Sequence, residues 1–78
     1  MTYEELLDIL AEQFSCDTSE LTRTTALEDL GADEPDYVEL AWQISDTIGV
    51  EVSEAQVENA GTIGAVWQMI RDLAAEVE

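Results

Sequence analysis

Histidine and lysine are absent from this 78-residue sequence, which has one cysteine and one proline. Because Cys16 stands alone, no internal disulfide can form and no multi-ligand metal pattern exists, so we predict no metal site. We expect Cys16 to be a small buried or half-buried hydrophobic side chain, with a reactive thiol as the alternative. The chain also lacks a nucleophile–base pair and a glycine-rich phosphate loop. Acid–base work by paired carboxylates such as Asp33 and Asp36 is the remaining enzymatic alternative, and we predict that the protein is not an enzyme.

Positive charge is scarce: the sequence has 19 Asp and Glu residues but only 2 Lys and Arg residues, a formal net charge of −17. Nucleic acid and anionic membrane surfaces repel such a chain, whereas basic protein surfaces attract it. We therefore predict a monomer whose partners are basic surfaces of biosynthetic or regulatory proteins. The N-terminus lacks the basic and apolar segments of a signal peptide, and no run reaches membrane-spanning length, so a cytoplasmic location is expected.

The length leaves room for one small core, and we predict that residues 1–78 form a single domain. A hydrophobic content of 46% indicates a folded chain despite the charge. The first helix is predicted from Thr2 to Phe14, because Thr2 and Glu5 form a capping box before a helical apolar stripe. Residues 15–33 lack this helical spacing of apolar residues, which indicates a long ordered loop. Its expected core anchors are Leu21, Leu27 and Leu30.

Three further helices are predicted, and no strand-like alternation competes with them. The second runs from about Pro35, which suits the first helical position, to the residue before Gly49, which suits a left-handed end. Its core stripe is Tyr37, Leu40, Ala41, Ile44 and Ile48. A short third helix is capped by Ser53 with Gln56, and the last helix opens at Thr62. The last stripe is Ile63, Val66, Trp67, Ile70, Leu73, Ala74 and Val77. The fold class is therefore all-α, a four-helix bundle with three main helices, a short third helix and a long first loop.

Two short segments flank the predicted start of the second helix: residues 25–33 read TALEDLGAD, and residues 36–40 read DYVEL. Thr62-Ile63 opens the last helix. With these segments, and with its helix order, length and acidity, nearly the whole chain resembles the acyl carrier protein family. The resemblance implies the acyl-carrier type of four-helix bundle. It also implies a role in fatty acid, polyketide or peptide biosynthesis.

The resemblance breaks at Asp33-Glu34-Pro35, where family members read Asp-Ser-Leu. The family's serine holds a phosphopantetheine arm, whose thiol carries an acyl chain as a thioester. Attack by the Glu34 carboxylate would give only an acyl phosphate, which water hydrolyses. We therefore predict a degenerate attachment site and no phosphopantetheine or other cofactor. With Pro35 at the first helical position, Glu34 is expected at the N-cap or just outside it, exposed.

The outer face of the second helix is the predicted partner-binding surface. The resemblance implies that its carboxylates meet basic patches on enzymes; an ordinary solvated face is the alternative. Val38 and Trp42 lie off the core stripe, one turn apart, which indicates an apolar anchor ringed by carboxylates. The alternatives are that the predicted helix placement is off by one residue or that the preceding loop covers them. The predicted partner-binding residues are Glu34, Asp36, Val38, Glu39, Trp42 and Asp46.

The cleft between the second and third helices receives the acyl chain in carriers. Here we expect its lining to be plain core: Ile44, Val52, Val57 and Ala60. The predicted function is a non-enzymatic, carrier-like module that docks on basic partners without phosphopantetheine. The first alternative is a genuine carrier of acyl or other thioester cargo. The second alternative is a domain that folds but has lost its role.

The excess negative charge yields a test of stability. Because like charges repel one another in the compact state, screening them should stabilise the fold. We expect the melting temperature, followed by circular dichroism, to rise when NaCl is added at constant pH. KCl at the same ionic strength should raise the melting temperature by the same amount. A melting temperature that does not change with ionic strength would contradict the expectation.

Overall fold

The computed structural model describes residues 1–77, with side chains up to Ala74. Its helices are α1 (Tyr3–Phe14), α2 (Glu34–Ile48), α3 (Glu54–Ala60) and α4 (Ile63–Val77). Two short 3-10 turns, Thr18–Glu20 and Leu27–Leu30, interrupt the loop between α1 and α2. Within residues 1–77 there is no β-strand, so the predicted all-α bundle with a short third helix is confirmed. The side chain of Val77, predicted to join the last stripe, lies outside the described residues, as does Glu78.

Side-chain caps set the beginnings of α1 and α3. At α1, the Thr2 hydroxyl accepts a hydrogen bond from the Glu5 N–H (3.1 Å), and the Glu5 carboxylate accepts one from the Thr2 N–H (2.9 Å). At α3, Ser53 and Gln56 form the same reciprocal pair at 3.2 and 2.8 Å. Each pair satisfies donors that a helix leaves without partners, and both predicted capping boxes are confirmed.

The start of α2 differs by one residue from the prediction. Asp33 is the N-cap, Glu34 is the first helical residue and Pro35 the second. The Asp36 carboxylate reaches back and accepts a hydrogen bond from the Asp33 N–H at 2.9 Å. This bond and the 2.9 Å backbone bond from the Asp36 N–H to the Asp33 carbonyl hold the start of α2 one residue before Pro35, against the bias of proline toward a non-helical preceding residue. Proline costs no hydrogen bond at the second position, because that N–H has no helical partner either. At the other end, Gly49 takes the expected left-handed conformation with φ 74°.

The core is a single cluster to which all four helices and the loop residues Leu21 and Leu27 contribute. In α2, the predicted stripe is confirmed, with its last residue, Ile48, half-buried. Leu21 and Leu27 are buried and Leu30 is half-buried, so the leucine anchors of the loop are also confirmed. Cys16 is half-buried and free, as expected. The fully or nearly buried residues are Leu6, Leu10, Leu21, Leu27, Tyr37, Leu40, Ala41, Ile44, Val52, Val57, Ile63, Val66 and Ile70.

Backbone hydrogen bonds join the long loop to the junction between α3 and α4. The Leu27 N–H donates to the Gly61 carbonyl (2.8 Å), and the Ile63 N–H donates to the Thr25 carbonyl (3.0 Å). The Gly64 N–H donates to the Arg23 carbonyl at 2.8 Å. These bonds give partners to the backbone of a segment that has no regular structure of its own, and they attach it to the start of α4.

Aromatic side chains close the same region from the α1 side. The guanidinium of Arg23 lies over the Tyr3 ring, 4.5 Å from its centroid. The Tyr3 ring in turn meets Trp67 of α4 edge to face, with centroids 5.8 Å apart. Both are favourable aromatic contacts, and together they connect α1, the loop and α4.

Gln13 connects the end of α1 to the start of α2. Its side-chain amide donates a hydrogen bond to the Asp36 carboxylate at 2.8 Å, while the other Asp36 oxygen accepts from the Asp33 N–H. The backbone hydrogen bond from Asp33, and after it the Gln13 amide, lower the pKa of Asp36 below its ordinary value of 3.8. Charged acceptors strengthen such bonds, so the α2 cap is strongest when Asp36 is ionised.

Replacing Gly64 tests the attachment of the loop. A Cβ at this position would lie 2.8 Å from the Arg23 carbonyl oxygen, so Gly64→Ala must push the loop away. We expect a loss of about 1–3 kcal/mol in the free energy of unfolding, measured with urea. An uncrowded glycine-to-alanine change in a helix would instead gain up to about 1 kcal/mol. A stabilised variant would therefore contradict the close contact.

Replacing Gln13 tests the connection between α1 and α2. Gln13→Ala should raise the pKa of Asp36, observed by NMR of its carboxyl carbon, only part of the way to its ordinary value, because the Asp33 N–H remains. A depressed folded-state pKa means that this stabilisation is complete above the unfolded pKa and disappears as pH falls through the folded pKa. Gln68→Ala removes a comparable amide that pairs with Asp72, and it should leave the pKa of Asp36 unchanged.

Candidate functional site

The entrance of α2 presents one exposed carboxylate and one carboxylate that the fold already uses. Glu34, the first residue of the helix, is exposed, as expected. Asp36, in contrast, is half-buried, and both of its oxygens accept hydrogen bonds within the chain. The sequence analysis predicted the same partner-binding role for both acids. It could not set Asp36 apart, because the hydrogen bond from Gln13 joins residues 23 positions apart and leaves no local pattern.

The outer face of α2 carries exposed acids on both sides of an exposed apolar pair. Trp42 is 64% exposed and Val38 is 49% exposed, so the loop does not cover them. Glu39 and Asp46 are exposed as well, and the Glu39 carboxylate accepts a 3.4 Å hydrogen bond from the Gln43 amide. Five of the six predicted partner-binding residues are therefore accessible, and Asp36 is the exception. Large exposed apolar side chains surrounded by polar groups are typical of protein interaction surfaces.

A groove beside this pair extends from α2 to the beginning of α3. It has a volume of about 250 Å³. Its lining consists of Val38, Ala41, Trp42, Val52 and Glu54. The Ser45 hydroxyl holds the groove in shape, because it donates to the Ala41 carbonyl (2.7 Å) and accepts from the Val52 N–H (2.8 Å). The sequence placed Val52 in the cleft between the second and third helices, but it did not indicate that Val52 and Glu54 lie beside Trp42, because that arrangement depends on the tertiary fold.

The residues predicted to line the cleft between the second and third helices as plain core lie in or against the core. Ile44, Val52 and Val57 are buried, and Ala60 is half-buried. Within the described part of the chain, no three or more potential ligand side chains gather in a geometry that could hold a metal ion. The described helices also include none with the length and apolarity needed to cross a bilayer.

Comparisons with known proteins identify one family by sequence and a matching fold by structure. Residues 4–70 match the family model described as phosphopantetheine attachment site. An acyl carrier protein of Saccharopolyspora erythraea is 36% identical over 76 residues, which cover 96% of this chain and 80% of that relative. The NMR structure of the HMG-ACPI domain from the CurA module of Lyngbya majuscula superposes with a TM-score of 0.79 at 21% identity. That superposition covers 97% of this chain and 78% of the other.

These matches contradict the prediction that phosphopantetheine is absent. The matching family is defined by attachment of this group, and the relative is an acyl carrier protein, so both indicate a phosphopantetheine-bearing carrier. The prediction extended the chemistry of one side chain, Glu34, to the protein as a whole, and that extension was the error.

The Glu34 side chain itself does not fit the arm. It is exposed at the start of α2, but its carboxylate has no hydroxyl through which a stable phosphodiester could form. Ser45, also in α2, is half-buried, and its hydroxyl forms hydrogen bonds with the backbone of Ala41 and Val52. We therefore derive no attachment step at either residue. With a family model that matches residues 4–70 and a relative that is 36% identical over 96% of this chain, this chain belongs to the acyl carrier protein family.

Proposed function

We propose that this chain acts as a non-catalytic, acyl-carrier-type domain that biosynthetic enzymes recognise through the outer face of α2. The observation that carries the proposal is Trp42, which is 64% exposed in the middle of a helix that buries its other face. An indole in water adds nothing to the core, whereas at an interface it is among the side chains that contribute most to binding.

The charge around Trp42 supports a basic partner. Glu34, Glu39 and Asp46 are all exposed on α2, and the chain as a whole has a formal net charge of −17. A complementary surface would have an apolar recess with Lys and Arg around it. Such complementarity accelerates encounter and makes it sensitive to salt, while the apolar centre contributes most of the affinity.

The family match favours a carrier of acyl or other thioester cargo in fatty acid, polyketide or peptide biosynthesis. In this function the domain brings the cargo to successive enzymes and supplies no catalytic group. Because Glu34 does not fit the arm, a carrier function requires an acceptor elsewhere on the chain. Docking alone, as a regulatory module, is the second candidate, and Glu34 is the observation that favours it.

An intact-mass measurement distinguishes the two candidates. The protein is incubated with coenzyme A and a broad-specificity phosphopantetheinyl transferase, with a serine-containing carrier protein as the positive control. The carrier function predicts a mass increase, and peptide mapping would then locate the acceptor. An unchanged mass beside a fully modified control supports docking alone. Glu34→Ser should accept the arm in either case, because it restores the missing hydroxyl at an exposed helix start.

Comparative capture from cell extract tests the docking face itself. Trp42→Ala should leave the melting temperature within a few degrees of the unchanged protein, because an exposed side chain contributes little to folding. It should also lose synthases or ligases that the unchanged protein and Gln68→Ala both retain. A lower melting temperature with full retention of partners would assign Trp42 to the fold and would contradict the proposal.

A further inference from the structure

We propose that the groove between α2 and the start of α3 receives an arginine side chain of the partner protein. This proposal rests on the docking function of α2 and names the group that it recognises. The groove is open beside Trp42, has a volume of about 250 Å³ and combines an apolar lining with one carboxylate. A long side chain with an apolar stem and a cationic end matches that combination.

The walls of the groove suit the stem of such a side chain. Val38 supplies most of the accessible aliphatic surface, Ala41 and Val52 lie beneath it at the base of the groove, and the Ser45 hydroxyl fixes Val52 against α2. Ala41 and Val52 are buried in the fold, whereas Val38 remains about half exposed. A methylene stem lying along this surface would remove apolar area of both molecules from water.

Trp42 supplies an aromatic face for the cation. Guanidinium groups stack on aromatic rings, and tryptophan is the strongest partner for a cation. The chain already forms one contact of this type, because Arg23 lies 4.5 Å from the centroid of the Tyr3 ring. Arg23 is one of only two cationic residues in the sequence, and the residues that line the groove include none. The cation for Trp42 is therefore assigned to the partner.

Glu54 supplies the matching negative charge. It is the first residue of α3, half-buried, and it lines the groove together with Trp42. The capping box of Ser53 and Gln56 fixes the backbone on which its side chain stands. A carboxylate accepts two parallel hydrogen bonds from a guanidinium but not from the ammonium of lysine, so the pair favours arginine.

A second groove, between α3 and α4, shows by contrast why this assignment is specific. It is larger, about 500 Å³, and amide side chains and Met69 contribute to its lining. It has no aromatic residue among its described lining residues, and its one carboxylate, Asp72, already accepts a 3.0 Å hydrogen bond from Gln68. It therefore serves as an internal reference for nonspecific attraction of cations to this acidic chain.

An NMR titration with Nα-acetyl-arginine amide tests the proposal on the full chain. At about 0.15 M salt, where long-range attraction is screened, we expect saturable shifts of the Trp42 indole N–H and of the Val38 and Glu54 amides. The Met69 amide, in the reference groove, should shift little. Nα-acetyl-citrulline amide has nearly the same shape without the charge and should bind much more weakly.

Three variants locate the binding energy. Trp42→Leu keeps an apolar side chain but removes the aromatic face, and it should weaken binding of the arginine amide about two- to five-fold. Glu54→Gln should weaken it by up to about five-fold. Glu51→Gln removes the same charge from an exposed residue outside the groove lining and should change the affinity little.

Several results would overturn the arginine site. These are equal shifts from the arginine and citrulline amides, equal affinity for Nα-acetyl-lysine amide, or equal losses in Glu51→Gln and Glu54→Gln. Any of them can occur while Trp42→Ala still loses its partners from extract, in which case the docking face stands without the arginine site. If the arginine amide binds as expected but Trp42→Ala retains every partner, the docking function fails and the groove remains a guanidinium-binding site.

Discussion

The backbone hydrogen bonds between the long loop and the α3–α4 junction are the constraint on which the remaining structure depends. They hold the carbonyls of Arg23 and Thr25 and the N–H of Leu27 against residues 61–64. Leu27 is thereby placed in the core, and the chain reaches the start of α2 from a fixed direction. Because the loop has no regular ladder of its own, few other contacts could replace these bonds.

The position of α2 determines which of its faces is exposed to solvent. One face packs into the core through Leu40 and Ile44, which leaves Val38 and Trp42 outside. The Gln13–Asp36 bond and the Ser45 hydroxyl hold its two halves against α1 and the following connector. An exposed indole on a helix held at both ends is pre-organised, so binding loses little conformational entropy there.

Periodicity and capping patterns predicted most of the fold, because they are local. The Thr2–Glu5 and Ser53–Gln56 boxes, the α2 stripe and Gly49 all lie where short-range rules place them. The same rules placed the start of α2 one residue too late, and they could not show that Asp36 accepts a hydrogen bond from Gln13, 23 positions earlier. Local patterns identified Trp42 as unusual but could not show its exposure, nor that Val52 and Glu54 lie beside it. The chemistry of Glu34 decides only whether that side chain can hold the phosphopantetheine arm. It does not decide whether the chain as a whole carries the cofactor.

The two tryptophans differ in environment, since Trp67 is partly buried and Trp42 is exposed, and each can therefore serve as a separate fluorescent probe. Trp67 meets Tyr3 edge to face beneath Arg23, at the point where α1, the loop and α4 converge. Trp42 is largely in water on α2. Emission from Trp67 follows assembly of the domain, whereas emission from Trp42 follows whatever covers the helix. Single-tryptophan forms thus separate loss of folding from loss of recognition without an added label.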